Sequence, residues 1–387
     1  MIINPFKKIF NTFRYLSYYF IVFLIRLKPA TLNPQKLLLI RLDSIGDYIL
    51  FRNFIEVVYR SEKYKNYKIT LCGNVIWKDL AESFDKEYVS EFIWLDREKY
   101  FWNPVYVFKF LKMIYSRGFE VVINSTFSRE NLYGDAIVNI SNAPVKIGSE
   151  GLDDSSSAWK RNMVTNKFYT KLIPFNSQIQ FEFYNNLDFF EDVLQSKLSL
   201  PKPYMDCSKV TQSISNEKEY IVIFPGAQEN IRRWSALNYK AVIEYLLSNY
   251  KYQIVIAGSK SDSIFAKEIL IDLNSNDCLD ITGKTSLSQL SKIISNSKLL
   301  VSNDTSAVHI SASVGTPFIC ISNAQKYLRF VPYPKTMNTN SIYIFPPAFN
   351  KLELSESEKA NLLIHGSNLD INSIQVEVVI NEVTKLI

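Results

Sequence analysis

The sequence predicts an α/β protein made of two Rossmann-like domains that face a central cleft. Three observations predict it. Strand-length apolar runs alternate with segments of helical period along most of the chain. The alternation pauses in a polar stretch near the middle and then restarts. Loops carrying Gly, Asp, Arg, Thr and Ser recur at the C-terminal ends of the predicted strands. Strands that alternate with helices build parallel sheets covered on both faces, and so read as continuous apolar runs. The 387 residues, 47% of them hydrophobic, suffice for two such cores.

Residues 1–33 stand apart as an extra N-terminal amphipathic helix. Phe6–Leu27 (FKKIFNTFRYLSYYFIVFLIRL) is apolar and aromatic, with Lys7, Lys8, Arg14, Arg26 and Lys28 around it. The apolar run Tyr15–Ile25 is short for a membrane span, and no small-residue cleavage site follows it. A helix lying on a membrane surface through residues 6–28 is the expectation. A helix packed on the protein itself, or on a partner, is the plainer alternative.

Residues 34–207 read as the first domain. KLLLIR (Lys36–Arg41) is a buried strand, followed by a turn and a helix over Asp47–Arg60. Strands follow at Lys68–Cys72, Phe92–Leu95 and Glu120–Asn124, with helices at Trp77–Phe84 and Val105–Arg117. Ser149–Asn162, with Asp153 and Asp154, is a polar loop, and Phe181–Leu198 a long helix. Leu200–Asp206 and Ser208–Lys218 link the halves.

Residues 208–387 repeat the pattern. Strands are expected at Tyr220–Phe224, Gln253–Ala257, Leu279–Thr282, Leu299–Ser302 and Pro317–Ile321. Helices are expected at Ala236–Tyr250, Ser263–Asn274, Leu287–Ser295, Val308–Val314 and Ile374–Leu386, with Met337–Phe349 irregular.

The formal net charge of +6 is spread along the chain. It admits anionic partners such as phosphorylated sugars or acidic headgroups. There is no basic stripe with a recognisable module, so no nucleic acid is expected. Cys72, Cys207, Cys278 and Cys320 lie far apart, without CxxC or zinc spacing, and read as free thiols in a reducing compartment.

Four segments could carry chemistry. RLDSIGD (Arg41–Asp47) follows the first strand and puts Asp47 at a helix start, where it is a candidate general base or simply a carboxylate that the helix dipole favours. It lacks GxGxxG, so no dinucleotide fingerprint is present. FPGAQENIRRW offers the small residues Pro225, Gly226 and Ala227 for close backbone approach, with Arg232 and Arg233 to meet a diphosphate. AGSKSD, with Lys260, borders the next strand. VSNDTSAVH opens a helix on Asp304, Thr305 and Ser306, with His309 on its first turns. Helix N-termini of this kind suit phosphate, and capped helices of this kind are also ordinary. TGKTSL lacks the full GxxxxGK[ST] pattern, so no ATPase is expected.

Taken in order, these motifs resemble glycosyltransferase family 9, the heptosyltransferase family of lipopolysaccharide core synthesis. The residues that carry the resemblance are KLLLIRLDSIGD, FPGAQENIRRWSALNY and ITGKTSLSQLSKIISNSKLLVSNDTSAVHISASVGTPFICI, with VKIG (Val145–Gly148) between the first two. It runs from about Lys36 to Ile321, leaving the N-terminal segment outside.

The resemblance implies the GT-B fold, with the acceptor mostly on the first domain and the sugar nucleotide mostly on the second. It implies inverting sugar transfer without a metal or other cofactor, and no Asp-x-Asp pair is present. Asp47 takes the position of the base. Donor binding falls to Pro225, Gly226, Ala227, Arg232, Arg233, Lys260, Asp304, Thr305, Ser306 and His309. Arg41 and Arg129, from charge and loop position, are candidates for an acidic group on the acceptor. Ser306 stands where the family has glycine, and Lys260 where it has an acidic or small residue. The implied donor is a nucleotide sugar, ADP-heptose first. The implied acceptor is lipid-linked or of lipopolysaccharide type, met at the inner face of the cytoplasmic membrane by a peripheral cytoplasmic enzyme. A catalytically inactive sugar-nucleotide-binding or scaffold protein is the alternative.

Overall fold

The computed structural model of the protein describes residues 5–153, 155–174, 180–211, 214, 218–273, 277–337, 339–350 and 355–387. Asp154, Asn274, residues 1–4 of the N-terminal segment and residues 212–213 and 215–217 of the expected linker lie outside them.

The chain opens on α1 (Pro5–Arg26). The first half then runs β1 (Lys36–Arg41), α2 (Ile45–Phe51), α3 (Asn53–Arg60), β2 (Lys68–Asn74), α4 (Lys78–Phe84), β3 (Glu91–Leu95), α5 (Arg97–Trp102), α6 (Pro104–Arg117), β4 (Val121–Asn124), α7 (Gly134–Ile140) and β5 (Val145–Ser149). It closes with the short α8 (Ala158–Lys160), a π-helical turn Arg161–Thr165, β6 (Lys171–Ile173) and α9 (Glu182–Leu194). The second half runs β7 (Tyr220–Phe224), α10 (Ala236–Asn249), β8 (Gln253–Ile256), α11 (Ser263–Leu270), β9 (Cys278–Asp280), α12 (Leu287–Ser295), β10 (Leu299–Asn303), α13 (Ser306–Val314), β11 (Phe318–Ile321), β12 (Ser341–Ile344), α14 (Pro347–Asn350), α15 (Glu356–His365) and α16 (Val376–Val383).

Among the described residues there are two six-stranded sheets, ordered β3-β2-β1-β4-β5-β6 and β12-β11-β10-β7-β8-β9. Every pairing is parallel. Each sheet starts in its middle, winds outward, then crosses back and winds the other way. That is the doubly wound order, and it leaves a crevice where the direction reverses, between β1 and β4 and between β7 and β10. The central strands are buried on both faces, which is why LLLI and IVI read as uninterrupted apolar runs.

The expected Asp47–Arg60 helix is two helices. Arg52 at their junction is buried and donates to both Asp85 oxygens, Nη2 to Oδ1 at 2.6 Å, and its Nη1 reaches the Tyr204 carbonyl at 2.6 Å. The region Met337–Phe349, expected to be irregular, holds the edge strand β12.

The two halves pack closely. α2 lies on α13 and α4 on α12. Asp79 of α4 accepts the Ser288 N–H at the start of α12 (2.7 Å), a carboxylate at a helix N-terminus across the domain boundary. One apolar cluster runs through both halves, from Leu37 and Phe54 to Val308 and Phe318. α1 packs on the outer side of the first domain, with Tyr18, Ile21, Val22 and Ile25 turned into it. The Tyr18 hydroxyl receives the Asn139 amide (2.8 Å), and Arg26 donates to the Asn139 carbonyl (2.8 Å).

Candidate active site

Arg41 ends β1 inside the protein, fully buried. Its Nη1 donates to the Ser125 carbonyl (2.9 Å) and the Asn186 amide oxygen (3.0 Å). Its Nε lies 2.8 Å from Asp43 Oδ2, and its Nη2 lies 3.0 Å from Glu182 Oε1 and 3.8 Å from Asp47 Oδ1. Glu182 also holds Arg329, whose Nε is 2.9 Å from Oε2. Three carboxylates therefore gather around two guanidinium groups. Burial, together with the neighbouring Asp47 and Glu182 charges, pushes the Asp43 carboxyl well up against the pull of Arg41.

Asp47 sits on the first turn of α2, where the dipole favours a carboxylate. The Ser44 hydroxyl donates to it. Its side chain keeps 15% exposure while Arg41 beneath it has none, so Asp47 is the group of this pair that can touch a ligand.

The other wall forms at the ends of β7 and β10. Asn303, the last residue of β10, donates to the Pro225 carbonyl (2.7 Å) and accepts the Trp234 N–H (3.2 Å). This one amide staples both ends of the Pro225–Trp234 loop to the central strand. Gly226 faces the Asp262 carboxylate so closely that a Cβ there would lie 2.5 Å from Oδ2. The glycine therefore makes room for Asp262, where the sequence suggested room for a ligand. Asp262 in turn accepts the Ser259 N–H (2.8 Å) and fixes the turn that carries the exposed Lys260.

Arg233 donates to the Ala227 carbonyl (2.6 Å) and lies 3.8 Å from Asp262 Oδ1. Arg232 donates to the Asp304 carbonyl and lies 3.4 Å from Asp304 Oδ2. Both arginines stay about a quarter exposed, and Asp304 is buried. Thr305 caps α13: its backbone is extended and its hydroxyl accepts the Ala307 N–H (3.3 Å). Ser306 is the first residue of that helix.

His309, one turn further on, is buried between the domains. Its Nδ1 lies 2.9 Å from the Tyr333 hydroxyl. Burial lowers its pKa to about 4, so the ring is neutral near pH 7. Its Cδ2 stands 2.8 Å from where a Cβ on Gly46 would be. Gly46 precedes Asp47, so the end of β1 and the start of α13 meet at this contact.

Arg129 must be corrected. It is fully buried under the first sheet's edge, where it pairs with Asp135 (Nε 3.0 Å, Nη2 3.1 Å) and donates to the Ser149 carbonyl, Asn166 and Thr165. Those partners use its donors internally, and it presents no surface to an acceptor. Arg41 is likewise a holder of carboxylates, not an exposed acceptor contact. Sequence reasoning missed Asp43, Glu182, Asn303, Asp262 and Tyr333. Asp43 and Asp262 lay within quoted motifs, whereas the Glu182 partner Arg41 is 141 residues away and no local pattern marks it. Among the described residues, no group of three or more His, Cys, Asp or Glu side chains could hold a metal ion.

Residues 107–359 match the sequence model of a family described as Glycosyltransferase family 9 (heptosyltransferase). Lipopolysaccharide heptosyltransferase 3 of Escherichia coli is 22% identical over 239 residues, which cover 59% of this chain and 67% of that protein. Lipopolysaccharide heptosyltransferase 2 of Salmonella typhimurium is 33% identical over 113 residues, 28% of this chain and 32% of that protein. The chain thus spans about a third of the length of the second relative. Among solved structures, the glycosyl transferase family 9 protein of Veillonella parvula superposes with a TM-score of 0.70 at 17% identity, over 93% of this chain and 99% of that one. The ADP-heptose lipopolysaccharide heptosyltransferase II of E. coli gives 0.65 at 17% identity, over 91% and 98%. At such identities the structural likeness concerns the fold alone.

Proposed function

The chain belongs to glycosyltransferase family 9 and has the GT-B fold, and from this premise we propose that it is an inverting, metal-independent glycosyltransferase. The acceptor is a lipopolysaccharide or another surface glycan, met at the inner face of the cytoplasmic membrane. The donor is a nucleotide sugar. ADP-heptose is the first choice, because it stands in the name of the E. coli structural neighbour.

The observation that carries the reading is the contact of Gly46 with His309. It supports one site, because it joins the helices that follow a central strand of each sheet, beside the switch points of the doubly wound order. Asp47 on the first turn of α2 takes the proton from an acceptor hydroxyl. The oxygen attacks the anomeric carbon from the face opposite the diphosphate. The bond from that carbon to the diphosphate oxygen breaks, and the nucleoside diphosphate leaves with the electron pair. Arg232, Arg233 and the N-terminus of α13 stabilise its charge. Pro225–Ala227 line the nucleotide, Lys260 stands at the nucleoside end, and Asp304 holds hydroxyls of the donor while it positions Arg232. Neutral His309 adds no charge and shapes the junction.

A panel of nucleotide sugars tests this by binding and turnover, with Asp304→Ala as control. The expected result is selective binding of ADP-heptose that the variant loses. Binding of another sugar nucleotide moves the donor and keeps the mechanism. Binding of none, by a folded protein, overturns the reading.

A further inference from the structure

α1 is apolar on two opposite sides. Tyr18, Ile21, Val22 and Ile25 are buried against the first domain. Phe13, Leu16, Phe20, Phe23 and Leu27 point the other way, each 60–65% exposed. At 100° per residue these five fall within one stripe directly opposite the packed face. A helix apolar all round belongs in a core or in a membrane. No helix among the described residues is long and apolar enough to cross a membrane.

Two further exposed groups of the first domain flank this stripe. Trp102 of α5 packs against Phe10 on one side of α1 (ring centroids 5.2 Å apart, tilted by 42°) and is 65% exposed. On the other side, Lys160 of α8 donates to the Tyr15 hydroxyl (2.6 Å), and its neighbours Trp159 and Met163 are exposed. Between α1 and α5–α6, an apolar crevice lined by Phe10, Phe13, Ile21, Trp102 and Val107 extends the surface inward.

The charge of the N-terminal segment has one sign. Residues 1–28 hold five Lys or Arg and no Asp or Glu. The helix on which α1 packs, α6, holds Lys109, Lys112 and Arg117 and again no carboxylate.

From the two-sided helix, its tryptophan flanks and its missing carboxylates, we infer that α1, Trp102 and Trp159 form one docking face for an anionic lipid bilayer. The aromatic stripe enters the acyl boundary, the tryptophans sit at headgroup level, and the basic residues meet lipid phosphate. A second copy of the chain is the poorer occupant. A two-fold contact through this face would set α1 against the same helix of another copy, with Lys and Arg on both and no carboxylate on either to answer them. The inference deepens the reading above only in saying where the enzyme meets a membrane-held acceptor; docking itself does not depend on the chemistry of the cleft.

The full chain is floated with vesicles of phosphatidylglycerol and phosphatidylethanolamine, and separately with vesicles of phosphatidylcholine. The expected result is flotation with the first, weaker flotation with the second, and loss of the difference in high salt. Phe20→Ser with Phe23→Ser should lower the partition coefficient by roughly 100-fold. Ile264→Ser, a change at an exposed apolar residue of the second domain, should leave it unaltered. Wild type that stays unbound with both compositions overturns the inference. So does a wild-type dimer, seen by sedimentation velocity, that the double variant converts to monomer without any flotation. Nucleotide-sugar binding in vesicle-free buffer reads the cleft independently, so failure of docking and failure of the transferase reading are told apart.

Discussion

Gly46 and His309 touch across the domain boundary with no space for a single added carbon. A Cβ on Gly46 would stand 2.8 Å from His309 Cδ2 and 3.3 Å from Nε2. The ring cannot slide away, because Tyr333 holds Nδ1 on its far side. Gly46→Ala should therefore push α2 off α13. We expect a stability loss of about 1–3 kcal/mol and a larger fall in transfer than in nucleotide binding. Chemical denaturation and steady-state kinetics read the two effects.

Asp47→Asn keeps the shape of the side chain and removes the base. Transfer should drop by on the order of 10²–10⁴-fold, with nucleotide-sugar affinity within about twofold of wild type. Isothermal titration beside single-turnover transfer checks this. Wild-type turnover in the variant would remove Asp47 from the reaction.

Arg129→Met strips the buried Asp135 of its partner. Unfolding free energy should fall by about 3–5 kcal/mol, while the folded enzyme keeps its acceptor KM. A raised KM at unchanged stability would return Arg129 to the acceptor site.

The His309 ring is held neutral by burial, with its pKa near 4 against 6.5 for a free imidazole. Asp304 opposes that shift and Arg232 adds to it. Below pH 6.5 the unfolded chain takes up a proton that the folded ring refuses. Stability present above pH 6.5 is therefore lost as pH falls toward 4, by about 3 kcal/mol in all. Asp43, whose carboxyl burial raises, works in the opposite sense. The comparison of wild type with His309→Gln isolates the histidine: the stability of wild type relative to the variant should fall as pH drops from 6.5 to 4 in urea titrations.

The doubly wound architecture was legible because the middles of β1, β7, β10 and β11 are buried on both faces and are apolar. The edge strands β6 and β12 were not, since KLI and SIYI make little pattern. α7 was missed for the opposite reason: all seven of its residues are buried, so it shows no polar face and no period. The break at Arg52 depends on Asp85, 33 residues on. At the site, Asp47, Arg232 and His309 could be singled out because they lie just after strands. Asn303 could not, because its work is to bond Pro225, 78 residues earlier. Arg129 misled for a related reason: a loop arginine looks solvated until Asp135 and Thr165 are seen to enclose it.

The bridge through Glu182 limits how the two halves can move. One carboxylate oxygen serves Arg41 of the first domain and the other serves Arg329 of the second, all three side chains buried. Parting the domains here would break the buried Glu182–Arg329 ion pair. Glu182 is thus a rivet through both halves, holding Arg41 in one and Arg329 in the other.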